Sequence, residues 1–169
     1  TLTISKAALT VAADNKSRFY GSANPTLTYR YIGFVNGDST TTGAVTGTPT
    51  ISTTALNTSN AGSYPITMGT GNLASTNYAI TAANGTLTVN KALLTVTARD
   101  SSRAYGAANP TFTATYGDGF AAGDGPGTLP TPVITCLATA TSPGGTYPIR
   151  IAPVTSPDYA VSVADGSLT

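Results

Sequence analysis

The sequence predicts an all-β chain of two tandem antiparallel modules, and three observations carry that expectation. The 169 residues contain neither Glu nor Gln, the side chains that normally cover helices, whereas Thr and Val suit strands and 18 Gly and 11 Pro supply turns. Apolar residues alternate with Thr and other small polar residues over short stretches, the period of a strand with one buried and one wet face. The same stretches then recur in the same order about 85 residues further on.

Each element has its copy further along the chain. Thr1-Leu2-Thr3-Ile4-Ser5-Lys6-Ala7 returns as Thr86-Leu87-Thr88-Val89-Asn90-Lys91-Ala92. Leu9 and Val11, then Leu94 and Val96, share one face of a strand. Tyr20-Gly21-Ser22-Ala23-Asn24-Pro25 returns as Tyr105-Gly106-Ala107-Ala108-Asn109-Pro110. Proline fixes its own torsion and pushes the preceding Asn toward an extended conformation, so a structural turn is expected before the next strand. The Gly either takes a positive φ or lets the Tyr ring lie over the backbone. Leu27, Tyr29 and Tyr31 alternate on that next strand, as do Phe112, Ala114 and Tyr116.

Gly33-Phe34-Val35-Asn36-Gly37-Asp38 matches Gly119-Phe120-Ala121-Ala122-Gly123-Asp124. Tyr64, Pro65, Ile66 and Met68 correspond to Tyr147, Pro148, Ile149 and Ile151, and Tyr78 and Ile80 to Tyr159 and Val161. Each module therefore holds about six short strands. The expected boundaries are residues 1–4 as the closing strand of a preceding repeat, 5–90 as the first module and 91–169 as the second. Only Asn90-Lys91-Ala92 separates two strand-like stretches, so no flexible linker intervenes and a rod is expected.

Composition narrows the function classes. Eight basic and seven acidic residues leave a net charge of +1, which builds no surface for nucleic acid. No apolar stretch is long enough to cross a membrane as a helix. Without His there is no Ser-His-Asp or Cys-His arrangement and no His-ligated metal, and no cofactor motif is recognisable. Gly117-Asp118-Gly119 and Gly123-Asp124-Gly125 are expected as plain turns rather than a calcium site. Cys136, the only cysteine, reads as a small buried thiol on a strand. Lys6 and Lys91, at identical module positions, read as solvated side chains blunting a sheet edge rather than as partners in an isopeptide crosslink. The fixed places of the tyrosines in alternating strands point to packing rather than to a sugar-binding face. An enzyme is not expected.

The ordered blocks Y-G-x-A-N-P, G-F-x-x-G-D, G-[ST]-Y-P-I, [ND]-Y-A-[IV] and G-[ST]-L-T resemble the MBG domain of the YGX type over essentially the whole chain. That resemblance implies a β-grasp-like or immunoglobulin-like module repeated many times in large secreted bacterial adhesins. It also implies a short helix after Gly-Asp, where this chain carries Ser39-Thr40-Thr41-Thr42-Gly43 and Gly125-Pro126-Gly127, poor helix formers. The function expected is a secreted or cell-surface stalk or spacer, with neighbouring repeats, including head-to-tail copies in a fibre, as partners. The alternative is a weak glycan- or mucin-binding module that gains avidity from repetition.

Overall fold

The computed structural model describes residues 1–121 and 123–169 and divides into two compact units, Thr1–Asn90 and Lys91–Thr169. In the first unit, β1 (Ala7–Ala13), β3 (Tyr29–Ile32) and β6 (Tyr78–Ala83) form one sheet in the order β3-β1-β6. The other sheet takes β2 (Lys16–Phe19), β4 (Thr50–Thr53), β5 (Gly62–Gly69) and β7 (Gly85–Asn90) in the order β2-β7-β5-β4. Val11 and Ala13 of the first sheet meet Ile66, Met68 and Leu87 of the second in a shared core. Ile66 and Leu87 are fully buried, and each contributes about 2 kcal/mol of transfer free energy.

The second unit repeats the plan. Its sheets are β12-β8-β9, from β8 (Ala92–Ala98), β9 (Ala114–Tyr116) and β12 (Tyr159–Ala164), and β10-β11-β13, from β10 (Ile134–Cys136), β11 (Tyr147–Ile151) and β13 (Gly166–Leu168). The counterpart of β2 is reduced to a bridge between Ser101 and Leu168. Registers coincide: Val11 opposes Tyr31 as Val96 opposes Tyr116, and Tyr64 opposes Leu87 as Tyr147 opposes Leu168.

The chain is all-β, but its sheets are not purely antiparallel. β1 runs parallel to β6, β2 to β7, and β8 to β12. Alternation records which face a residue occupies, not the direction of the neighbouring strand, so the sequence pattern could not reveal this. A parallel pair needs a long connection, which the intervening strands of each module supply. Among the described residues there is no α-helix to lie across a sheet as in a β-grasp, and the two facing sheets make a small sandwich. After Gly-Asp, the second module has one 3-10 turn, Pro126–Thr128, and the first has only turns and bends. Thr1–Lys6 carries no strand, with Leu2 90% and Ile4 88% exposed.

Candidate functional site

The repeated motif residues gather at two places in each module. The first is built by the turn after β2. Ser22 N donates to the Phe19 carbonyl, and Gly21 has φ +77°, the third-position conformation of a type II turn. Gly106 has φ +85° in the same turn, closed by Ala107 N on the Ala104 carbonyl. Positive φ is thus the reason for glycine here. The turn lies before Asn24-Pro25, which lead without regular structure toward β3.

Asn24 acts through its side chain. Its Oδ1 accepts from Arg18 Nε at 2.7 Å, and its Nδ2 donates to the Ala55 carbonyl at 2.6 Å. Arg18, only 6% exposed, also donates from Nη1 to the Phe19 carbonyl at 3.1 Å and from Nη2 to the Leu56 carbonyl at 2.5 Å. A buried guanidinium with no carboxylate is thus satisfied by carbonyl oxygens, which spread its charge over three dipoles. The second module repeats the arrangement. Arg103 Nε donates to Asn109 Oδ1 at 2.7 Å, Nη1 to the Ala104 carbonyl and Nη2 to the Thr139 carbonyl, while Asn109 Nδ2 reaches the Ala138 carbonyl at 2.7 Å. Sequence reading singled out the asparagines and missed the arginines. Their signal was present, an Arg two residues ahead of Tyr-Gly in both copies.

The second place joins the Gly-Phe segment to β6. Tyr78 is 2% exposed, and its hydroxyl donates to Asp38 Oδ2 at 2.8 Å and accepts from Val35 N at 3.0 Å. Burial pushes its ionisation above the ordinary value of 10.0, and the bond to Asp38 adds to that. Tyr159 repeats the bonds with Asp124 Oδ2 at 2.5 Å and Ala121 N at 3.0 Å. Phe34 packs edge-on against Tyr78 at 5.5 Å, as Phe120 does against Tyr159 at 5.7 Å. Ala122 of this motif lies outside the described residues.

Two further motif positions hold β5 and β11. Tyr64 donates its hydroxyl to the Asn60 carbonyl at 2.9 Å, and Tyr147 to the Pro143 carbonyl at 2.9 Å. Pro65 and Pro148 stand opposite Thr86 of β7 and Ser167 of β13, but on the side of the edge strands β4 and β10 each lies one residue beyond the last pair, Thr53–Ile66 and Cys136–Ile149. There the missing N–H faces no partner strand. Tyr20 is half-buried, while its counterpart Tyr105 is 73% exposed.

The remaining candidates form no reactive constellation. Among the described residues no group of three or more His, Cys, Asp or Glu lies close enough to hold a metal ion. Cys136 is half-buried on β10, more exposed than the buried thiol expected, because β10 is short and at the sheet edge. Lys6 Nζ donates to the Ser75 carbonyl at 2.8 Å and Lys91 Nζ to the Ser156 carbonyl at 2.7 Å. Both lysines are exposed, as expected, and each is also anchored to the loop before β6 or β12.

Two sandwiches in tandem, each stitched by the same arginine, asparagine, tyrosine and aspartate, define a β-repeat protein. The chain belongs to the family of MBG domains of the YGX type, which matches residues 9–88 and again residues 94–169. Domains of this family are a non-catalytic structural type and occur in extracellular surface proteins. No curated protein and no solved structure matches the chain. No helix among the described residues is long and apolar enough to cross a membrane.

Proposed function

We propose that this chain is a spacer: tandem modules of a secreted bacterial adhesin or surface fibre that hold a distal part away from the cell. The observation that carries this reading is where the motif side chains are spent. Arg18, Asn24, Tyr64 and Tyr78, with their copies Arg103, Asn109, Tyr147 and Tyr159, bond to backbone or side chains of their own module. A motif maintained for binding would turn such groups toward solvent. β7 ends at Asn90 and β8 begins at Ala92, so a single residue joins the two modules.

Open hollows of about 620 Å³ beside Tyr116 and Phe120 and about 450 Å³ beside Tyr29 and Tyr31 are large enough for the glycan-binding alternative, but the most exposed tyrosine adds little to it. Tyr105 is exposed, but the depression it lines with Arg103 and Tyr147 is about 30 Å³, far below the roughly 300 Å³ of small ligand pockets. Small-angle scattering of chains of increasing module number tests the spacer. The expected result is a maximum dimension that grows by a constant increment per module. A broad distribution of inter-module angles, or saturable binding of mucin glycans by the array, would count against it.

A further inference from the structure

We propose that each module is a mechanical clamp whose working part is the parallel ribbon formed by its first and last segments. The biological use of such a clamp rests on the spacer reading, but the property itself belongs to the fold. In the first module Ala7 pairs with Tyr78, Ala12 with Ala83, Lys16 with Leu87 and Phe19 with Asn90, always 71 residues apart. The register therefore runs unbroken from β1/β6 in one sheet to β2/β7 in the other. At the corner between the sheets, Asn15 Oδ1 accepts from Thr86 N at 2.8 Å, which keeps the same spacing. The second module does likewise at a spacing of 67, from Ala92 opposite Tyr159 to Ser101 opposite Leu168, with Asp100 Oδ1 accepting from Ser167 N at 2.7 Å at the corner.

Direction decides what tension does to such a ribbon. In a tandem array the pull arrives at the N-terminal side of β1 and leaves at the C-terminal side of β7. These are opposite ends of two segments that run the same way. They can separate only by sliding, so the cross-strand hydrogen bonds bear the pull together and none can open first. Had the pull reached the same end of both segments, the bonds would break one after another.

The two ends of the ribbon carry extra fastenings. Where the first ribbon starts, Ala7 N donates to the Asn77 carbonyl at 2.9 Å and Lys6 Nζ to the Ser75 carbonyl; Ala92 and Lys91 do the same to Asp158 and Ser156. Where it finishes, Tyr20 N donates to the Asn90 carbonyl at 2.8 Å, and Arg103 N to the Thr169 carbonyl at 2.8 Å in the second module. Arg18 then ties β2 sideways to Asn24 and the Leu56 carbonyl, so this short strand cannot peel away alone. The repeated Lys, Arg and Asn thus share one task.

The test is single-molecule pulling of the whole chain. Drawn from N- to C-terminus, it should give two cooperative unfolding events. The variant Cys136→Ser, Thr76→Cys, pulled between the N-terminus and the exposed residue 76, loads the same ends of β1 and β6. Rupture force of the first module should fall roughly twofold or more, since forced unfolding follows the barrier to separation rather than equilibrium stability. Ser101→Pro removes the N–H that donates to the Ser167 carbonyl at 2.8 Å and should weaken only the second module's event. If that variant leaves the second module unfolded, the residue 76 geometry decides alone. Equal force in the two pulling directions overturns the clamp and leaves the spacer to its scattering test. A direction-dependent force accompanied by saturable glycan binding keeps the clamp and removes the spacer.

Discussion

At the scale of single residues, the buried polar groups of the repeated motif are held by bonds within their own module. Asn24→Ala would strip Arg18 of one acceptor and leave the Ala55 carbonyl without its donor, both largely away from water. The expected cost is about 2–3 kcal/mol, because a buried group left unsatisfied loses its full desolvation energy. Asn109→Ala should cost less, about 1 kcal/mol, since Arg103 is only half-buried. Urea titration followed by module-specific amide signals checks both. Tyr78 gives a pH signature. Its folded ionisation lies above the unfolded value of 10.0, so the protonated form is favoured in the folded state. That contribution is complete below pH 10 and is lost as pH rises through the folded value. Tyr78→Phe should therefore flatten the fall in first-module stability above pH 10, measured by denaturant midpoints across the alkaline range.

At the scale of elements, glycines mark where segments lie against strands. Gly33 has φ +112°, and a Cβ there would stand 2.6 Å from the Ala8 carbonyl oxygen; at Gly119 a Cβ would overlap the Leu93 carbonyl oxygen. Gly37, with φ +76°, has nothing nearby. Gly37→Ala should then cost only the torsional penalty of about 1 kcal/mol, and Gly33→Ala about 2–3 kcal/mol, as overlap adds to strain. Thermal unfolding of the two variants separates these terms. Much of this level was legible in the sequence. Alternation placed Leu9, Val11, Ile66, Met68, Leu94, Val96 and Ile149 on buried faces, where the structure has them. Strand direction was not legible, because a side chain's face is the same in a parallel and an antiparallel neighbour. Nor was the partner of Asn24: a side-chain bond between a strand and the loop that follows it leaves no periodic trace, and only the matching Arg18 and Arg103 betrayed it. Leu27 and Phe112 belong to the alternation but precede β3 and β9, because pairing begins two residues later.

At the scale of the whole molecule, each module joins its beginning to its end. β1 and β2 find β6 and β7 across a separation of 71 residues, a closure that costs about 4 kcal/mol in chain entropy before any contact forms. Such non-local pairing places each module among slow-folding domains, in the millisecond-to-second range. Removing residues 166–169 should leave the second unit without β13 and unfolded, while the first keeps its amide dispersion in NMR spectra. The same connectivity sets a schedule for synthesis and transport. A chain that emerges N-terminus first, from a ribosome or a narrow pore, has no completed module until Gly85–Asn90 has passed through. Until then β2 lacks the strand it pairs with and β5 lacks one of its two neighbours. Upstream of β7 the shared core lacks Leu87 and cannot close, so the last six residues act as the latch that turns a thread into a folded link.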